Sequence, residues 1–550
     1  MAFTDALRRA KEAIAIKDNE DHRRIDRWTN QDILPVLPKN RTYTTNTFVA
    51  YWVTGAVSAS FWSKGGTFIA NGLNVAESIG AVIVAVFICA VVAHTCGEPG
   101  RKYHLGFPML SRTVFGMYGS YIVVVLKCFT NCIYCGMQSY WGGLAMEVML
   151  SSIFPTFHRM KNTIPESANI TTRALIGTLI YQVIFYGFLF IPPYRLPMFF
   201  RISFYMVLST IVGMFIWAMV TNHGPGEVLS PTKDLTPANR AFVFLQAICI
   251  LCSAYTGASV RHADWSRYAK KPSAVWIGMW IASPVGLTVV ATLGILVTSA
   301  CREMYGEVIW QPITLLLKIQ DVNYSSAARA GTFFAGFGWF VSQLAINISL
   351  NTVAAGMDLT SVLPQYLDAR RGSILLASIG LAVCPWNFVN SAATFTTVLS
   401  AIGLFLSPLT GMYMADFWVI RRRNWKVPDL YIGNKSSIYW YTGGFNLRAI
   451  GCWVLLIWMS LPGLAAAVRG EDYGQAWSRI FQMTFLIGWL GGFITYSIVA
   501  TIFPPEGARI HEPYLEAICS DEDSEAGKVL EGHEVTTVDG GQVESKELRV

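Results

Sequence analysis

Charge is what this chain lacks most. Asp, Glu, Lys and Arg make up 14% of its 550 residues, where a soluble protein carries about 25%. No cleavable signal peptide is expected, because the stretch from Met1 to Arg27 is dense in charge where such a peptide needs an apolar segment. No HExxH, GxSxG or paired-carboxylate spacing falls within the apolar stretches, which argues against an intramembrane enzyme. Most of the eleven cysteines lie inside apolar runs, and Cys301 alone is placed on the outer face, so an extracellular disulfide framework is not expected. Cys132 and Cys135 form a CxxC within an apolar helix and read as small buried side chains, not as a metal or redox pair. The net charge of +7 comes without an aromatic–basic surface module, so no nucleic-acid partner is expected.

What is present is hydrophobicity. Apolar residues make up 53% of the chain and mean hydropathy is +0.41. Twelve stretches are long enough to cross a hydrocarbon core of about 30 Å: near 44–62, 76–95, 120–150, 173–192, 198–220, 241–262, 274–300, 330–357, 373–392, 394–420, 449–467 and 482–503. The reading is an all-α integral membrane protein with a charged segment at 1–43, a transmembrane body at 44–503 and a polar tail at 504–550. The acidic run Asp521, Glu522, Asp523 and Glu525 gives that tail a disordered composition. Basic residues cluster before the first stretch and in alternate loops: Arg101–Lys102, Arg195, Arg267 with Lys270–Lys271, Arg370–Arg371 and Arg421–Arg423. The positive-inside bias therefore puts both termini in the cytoplasm, with the tails as surfaces for trafficking partners and lipid around the body. Sequons at Asn169 and Asn323 fall in expected outer loops, but that at Asn434 falls on the inner side.

Two helices carry polar ladders. Gln343, Asn347 and Asn351 are each four residues apart, so their amides share roughly one face of an apolar helix. Lys127, Asn131, Tyr134 and Gln138 repeat the pattern. Amides at membrane depth are costly unless hydrogen-bonded, so these faces either meet other helices or line a path for a polar solute. Small or helix-breaking residues recur at Gly55-Ala56-Val57-Ser58-Ala59-Ser60 in the first stretch and at Ser253–Ser259 in the sixth. Matched interruptions in two halves point to an inverted-repeat transporter with broken helices; close packing of helices through small residues accounts for them equally well.

Ordered motifs then carry a resemblance. They are Asn30-Gln31-Asp32 with Pro35, Pro38 and Arg41-Thr42-Tyr43; Tyr134 to Gly143; Asp264-Trp265-Ser266-Arg267-Tyr268; Asn347-Ile348-Ser349-Leu350-Asn351; Gly356-Met357-Asp358-Leu359; Arg370-Arg371-Gly372; Pro385-Trp386-Asn387-Phe388; and Ala415-Asp416-Phe417-Trp418. Together they resemble the nucleobase–cation symporter-1 family, in its fungal branch of uracil, uridine, allantoin and thiamine permeases.

The resemblance implies a leucine-transporter-type fold, a five-plus-five inverted repeat followed by two C-terminal helices, working by alternating access in the plasma membrane. It assigns Gln138 and Asn351 to a small heterocyclic substrate, whose amide edge complements a carboxamide. Tyr134 stands where relatives typically carry a stacking tryptophan, and Tyr255 where some carry an aromatic. Asn347, with Gln343, supports the site or forms part of it, and Ser58, Ser60 and Trp62 are further candidates on the broken first helix. Sodium-coupled members use a Ser–Thr pair where this chain has Ala345–Ile346, which present no side-chain oxygen, so a proton is the expected coupling ion, with no metal and no cofactor. Candidates for gating or coupling are Asp264, Arg267, Arg261, His262 and Lys127. The expected function is proton-coupled import of a uracil-, uridine- or allantoin-like solute. The alternatives are a thiamine or nicotinamide riboside permease and a non-transporting nutrient sensor.

Overall fold

The computed structural model describes residues 27–29, 33–191, 196–363 and 365–508. The acidic tail, most of the N-terminal charged segment, the Asn30-Gln31-Asp32 motif and Arg195 lie outside the described residues.

The chain enters the bundle through α1 (Thr45–Ala56) and α2 (Ala59–Asn71). These are one apolar stretch cut in two. At the cut Ser58 is extended, with φ −151° and ψ 154°, and its hydroxyl accepts from the Phe61 N–H. The side chain thus satisfies a donor that the new helix leaves open. Then come α3 (Val75–Tyr103), the short α4 (Phe107–Phe115), α5 (Gly119–Ile153), α6 (Thr172–Leu189), α7 (Pro197–Thr221), α8 (Pro237–Val260) and its five-residue continuation α9 (His262–Ser266). Helix α10 (Ala274–Tyr305) follows, with α11 (Pro312–Val322), α12 (Ser326–Thr360), α13 (Ala369–Ala382), α14 (Ala392–Ile420), α15 (Leu447–Arg469), α16 (Gln475–Gln482) and α17 (Thr484–Ile502). Among the described residues no strand forms, only isolated bridges such as Tyr43 with Ala269.

Ten of these helices are long and apolar enough to span a membrane. The stretches expected near 44–62 and 373–392 instead appear as the broken pair α1–α2 and as the 14-residue α13. The sixth stretch also departs from expectation. Its helix runs intact through Ser253–Ser259 and ends only at Arg261, whose N–H still bonds back to the Gly257 carbonyl at 3.3 Å. The small residues there serve packing: Ser259 donates to the Cys89 carbonyl of α3, and a Cβ on Gly403 of α14 would overlap Ser253.

Contacts define the two ends of the bundle. At the basic end, residues 33–43, 98–118, 264–270 and 421–446 interlock. Val36 N–H bonds His104 O, Tyr43 N–H bonds Tyr268 O, Lys102 Nζ bonds Arg423 O, and Glu98 pairs with Arg101 and Arg423. At the other end, Thr232 bonds Ile69 O and Asn169 meets Asn387.

Helix α5 is the axis of the site. It can approach α13 closely because Gly136 faces Gly380; a Cβ on either would run into the other helix's backbone. It approaches α6 the same way, through Gly143 and Gly177. Small residues at such crossings let backbones touch where lipid offers no hydrophobic drive.

Candidate functional site

Gln138 lies on α5 between two clusters. Its Nε2 donates to the Ser60 hydroxyl on α2, two residues past the helix break. Its Oε1 receives no hydrogen bond from the described residues, although the side chain is 4% exposed. An unmatched buried amide oxygen costs roughly 1–3 kcal/mol, so this atom is a strong acceptor for any N–H that reaches it.

Asn351 reaches the same stretch of α5 through Asn347. Its Nδ2 donates to Asn347 Oδ1 at 2.9 Å. Asn347 Nδ2 in turn faces three acceptors: Cys135 O at 3.3 Å, Ser139 Oγ at 3.2 Å and Tyr181 OH at 3.3 Å. Residues 347–352 form a π-helical turn in which Thr352 Oγ1 donates to Asn347 O at 2.8 Å; such turns often mark functional positions in helices. Asn347 therefore rests on residues 135–139 of α5, the turn that carries Gln138, and holds Asn351 behind it. Gln343 is fully buried one turn earlier, and its amide bonds to none of the described residues.

The two tyrosines meet where α5 crosses α8. Tyr134 is half-buried and donates to Ala254 O at 3.2 Å. The neighbouring Tyr255 is buried, shares a hydrogen bond with Ser283 Oγ at 2.9 Å, and packs its ring 5.6 Å from Trp52 and 5.8 Å from Phe61. Of the first-helix candidates, only Ser60 touches Gln138. Ser58 caps α2, while Trp62 lies against Gly294 of α10 and edge-on to Trp339 at 6.0 Å.

A separate cluster sits toward the basic end. Lys127 Nζ is 3.0 Å from Asp358 Oδ2 and 3.8 Å from Asp264 Oδ2, and 3.3 Å from the centroid of the Phe107 ring. Asp264 Oδ1 accepts from the Phe107 N–H at 2.6 Å. Its carboxylate thus turns toward α4 and α5, and Arg267 meets it through the backbone carbonyl, at 3.2 Å. Lys127 and Asp358 are 2% and 1% exposed, so this is a desolvated ion pair tying α5 to α12. Arg261 donates to Gly257 O at 3.1 Å. His262 is buried between Phe48, Trp52 and Gly97, and neither ring nitrogen has a partner among the described residues.

Asp358 was visible in the sequence only as part of a motif, one residue past the stretch near 330–357, and Lys64 of α2 lies two residues past the stretch near 44–62; a charge bordering an apolar run is the signal both carry. Ser139 and Tyr181 offered none, since hydroxyls are common in packed helices.

A helical bundle whose broken first helix meets a buried amide face is a construction of secondary transporters, and the comparisons agree. The pattern of the family described as permeases for cytosine/purines, uracil, thiamine and allantoin matches residues 35–491, and the chain belongs to that family. The family is one of transporters, not enzymes, and this chain is a multi-pass membrane permease. An uncharacterized permease of Schizosaccharomyces pombe is 32% identical over 86% of this chain and 80% of its own length. A thiamine transporter of Saccharomyces cerevisiae is 30% identical over 90% of this chain and 81% of its own. Among solved structures, inward-facing Mhp1 superposes with a TM-score of 0.70 at 18% identity, covering 88% of this chain and 98% of that one. The same transporter, closed with bromovinylhydantoin bound and described as a nucleobase-cation-symport-1 family member, gives 0.65. The leucine-transporter-type fold expected from the sequence is the fold of this chain.

Proposed function

We propose that this permease imports a nucleobase-like solute, of the uracil, uridine or allantoin kind, together with a proton across the plasma membrane, with both termini cytoplasmic. The observation that carries the reading is Gln138: a buried carboxamide anchored by its N–H₂ to Ser60 of the broken helix, with its carbonyl oxygen left without a partner among the described residues and so able to accept from a ring N–H. Asn351, held in line by Asn347, serves a second ring edge from α12. Tyr134 of α5 and Tyr255 of α8 offer aromatic surface, each ring contact worth about 0.5–1.5 kcal/mol beyond burial. Proton coupling is favoured because Ala345 and Ile346 present no side-chain oxygen for sodium, which binds hard oxygen ligands. Among the coupling candidates, Lys127 with Asp264 and Asp358 forms a gate toward the basic end, and His262 is the residue whose ordinary titration lies nearest neutral pH. Arg261 and Arg267 stay charged and act by pairing.

The test is radiolabelled uptake in yeast lacking its own permeases. Uptake should be saturable, rise on acidification, and fall at least tenfold in Gln138→Ala with surface protein unchanged, the scale set by one unpaired buried polar group. Unaltered uptake in that variant rejects the site.

A further inference from the structure

Two lysines are buried among the described residues, and their surroundings differ sharply. Lys127 has two carboxylates. Lys64, 4% exposed in the middle of α2, has none within ion-pair distance among the described residues. Its ammonium lies 4.2 Å from the centroid of the Phe61 ring. A desolvated ammonium needs a counter-charge, and a phenyl face is a weak one.

Lys64 is also on the right face. It follows Ser60 by four residues, so the two share one side of α2, about 6 Å apart along the axis. Ser60 holds Gln138. The opposite side of α2 is taken up by α10, with Gly65 against Ala291 and Ile295 and Gly66 against Thr298. The Phe61 ring under the ammonium is itself edge-on to Tyr255. Lys64 therefore stands one turn from the serine that holds Gln138, on the side away from the basic end.

We propose that the counter-charge of Lys64 is supplied by the solute: the permease selects heterocycles bearing an anionic substituent such as a carboxylate, with the ring held by Gln138 and the substituent by Lys64. The proposal rests on the reading of Gln138 given above and narrows its substrate class. It also separates the alternatives. Thiamine and nicotinamide riboside both carry a permanent positive charge on a ring nitrogen, which a buried ammonium repels.

The full-length chain in nanodiscs is titrated with matched neutral and carboxylated rings, uracil against uracil-6-carboxylate and hydantoin against hydantoin-5-acetate, with thiamine as the cationic competitor. In at least one pair the carboxylate should bind about tenfold or more tighter, the scale of one charge-assisted hydrogen bond. Lys64→Met should bring that ratio to near unity, Lys64→Arg should keep it, and thiamine should not compete. The proposal is overturned if no pair favours the carboxylate, or if Lys64→Met, monodisperse on size exclusion, retains the preference. Gln138→Ala should weaken both members of a pair alike. If it weakens neither, the ring-site reading fails by itself, while the charge preference of Lys64 is still measured.

Discussion

Replacing Lys127 by Met should destabilise this permease more than replacing Asp358 by Asn, and the double variant Lys127→Met/Asp358→Leu should recover most of the loss. The reason lies in the asymmetry of the cluster. Lys127 and Asp358 are nearly fully buried 3.0 Å apart, and Asp264, 12% exposed, stands 3.8 Å from the same ammonium. Taking one partner from a buried pair costs about 3–5 kcal/mol, because the other charge stays desolvated. Lys127→Met strands two carboxylates that then repel each other, which puts it at the upper end of that range. Asp358→Asn leaves Lys127 its second carboxylate and the Phe107 ring, which puts it at about 3 kcal/mol or below. In the double variant only Asp264 remains, and the Phe107 N–H still donates to it. The double variant should therefore be less destabilised than Lys127→Met alone, which requires a favourable coupling of at least about 3 kcal/mol, the size of the loss at Asp358. Thermal denaturation of the detergent-solubilised full chain, followed by size exclusion, ranks the four proteins. Single variants within about 0.5 kcal/mol of the parent, the range of ordinary surface changes, would refute the reasoning. So would a double variant as unstable as the sum of the singles.

Two further substitutions probe how the site is built. Trp62→Ala removes a core side chain packed on α10 and Trp339. It should lower the thermal midpoint as a loss of about 3–5 kcal/mol does and leave solute discrimination unaltered; changed discrimination at an unshifted midpoint would return Trp62 to the site. Gly380→Val should abolish monodisperse protein on size exclusion, because its side chain would press on the Cys132 carbonyl and Gly136 N of α5. A folded variant with normal uptake would show that the α5–α13 crossing has slack.

The sequence and the structure disagree where small residues are ambiguous. Gly55–Ser60 and Ser253–Ser259 look alike as text. The first breaks its helix, because Val57 and Ser58 leave helical geometry and Ser58 supplies a cap. The second stays helical: Thr256 bonds the Cys252 carbonyl one turn back, and Ser259 bonds the Cys89 carbonyl of the neighbouring α3. Hydropathy also over-reads the ninth stretch: 373–392 looks long enough to cross, but the structure forms only the 14-residue α13 there. The amide ladders were legible, since a four-residue repeat of carboxamides in apolar surroundings is a local pattern. Their partners were not: Gln138 meets a serine 78 positions away, and Asn347 a carbonyl 212 positions away.

The sequence by itself determined that this chain is a helical membrane protein, roughly where its helices run, and which polar side chains must find partners inside it. Hydropathy and helical period are properties of neighbouring residues, so they survive without a fold. Only the tertiary structure decided that Gln138 holds Ser60, that Lys127 has two carboxylates and that Lys64 has none among the described residues. A charge buried in a low-dielectric interior is defined by what surrounds it, and helix packing brings those surroundings from distant parts of the chain.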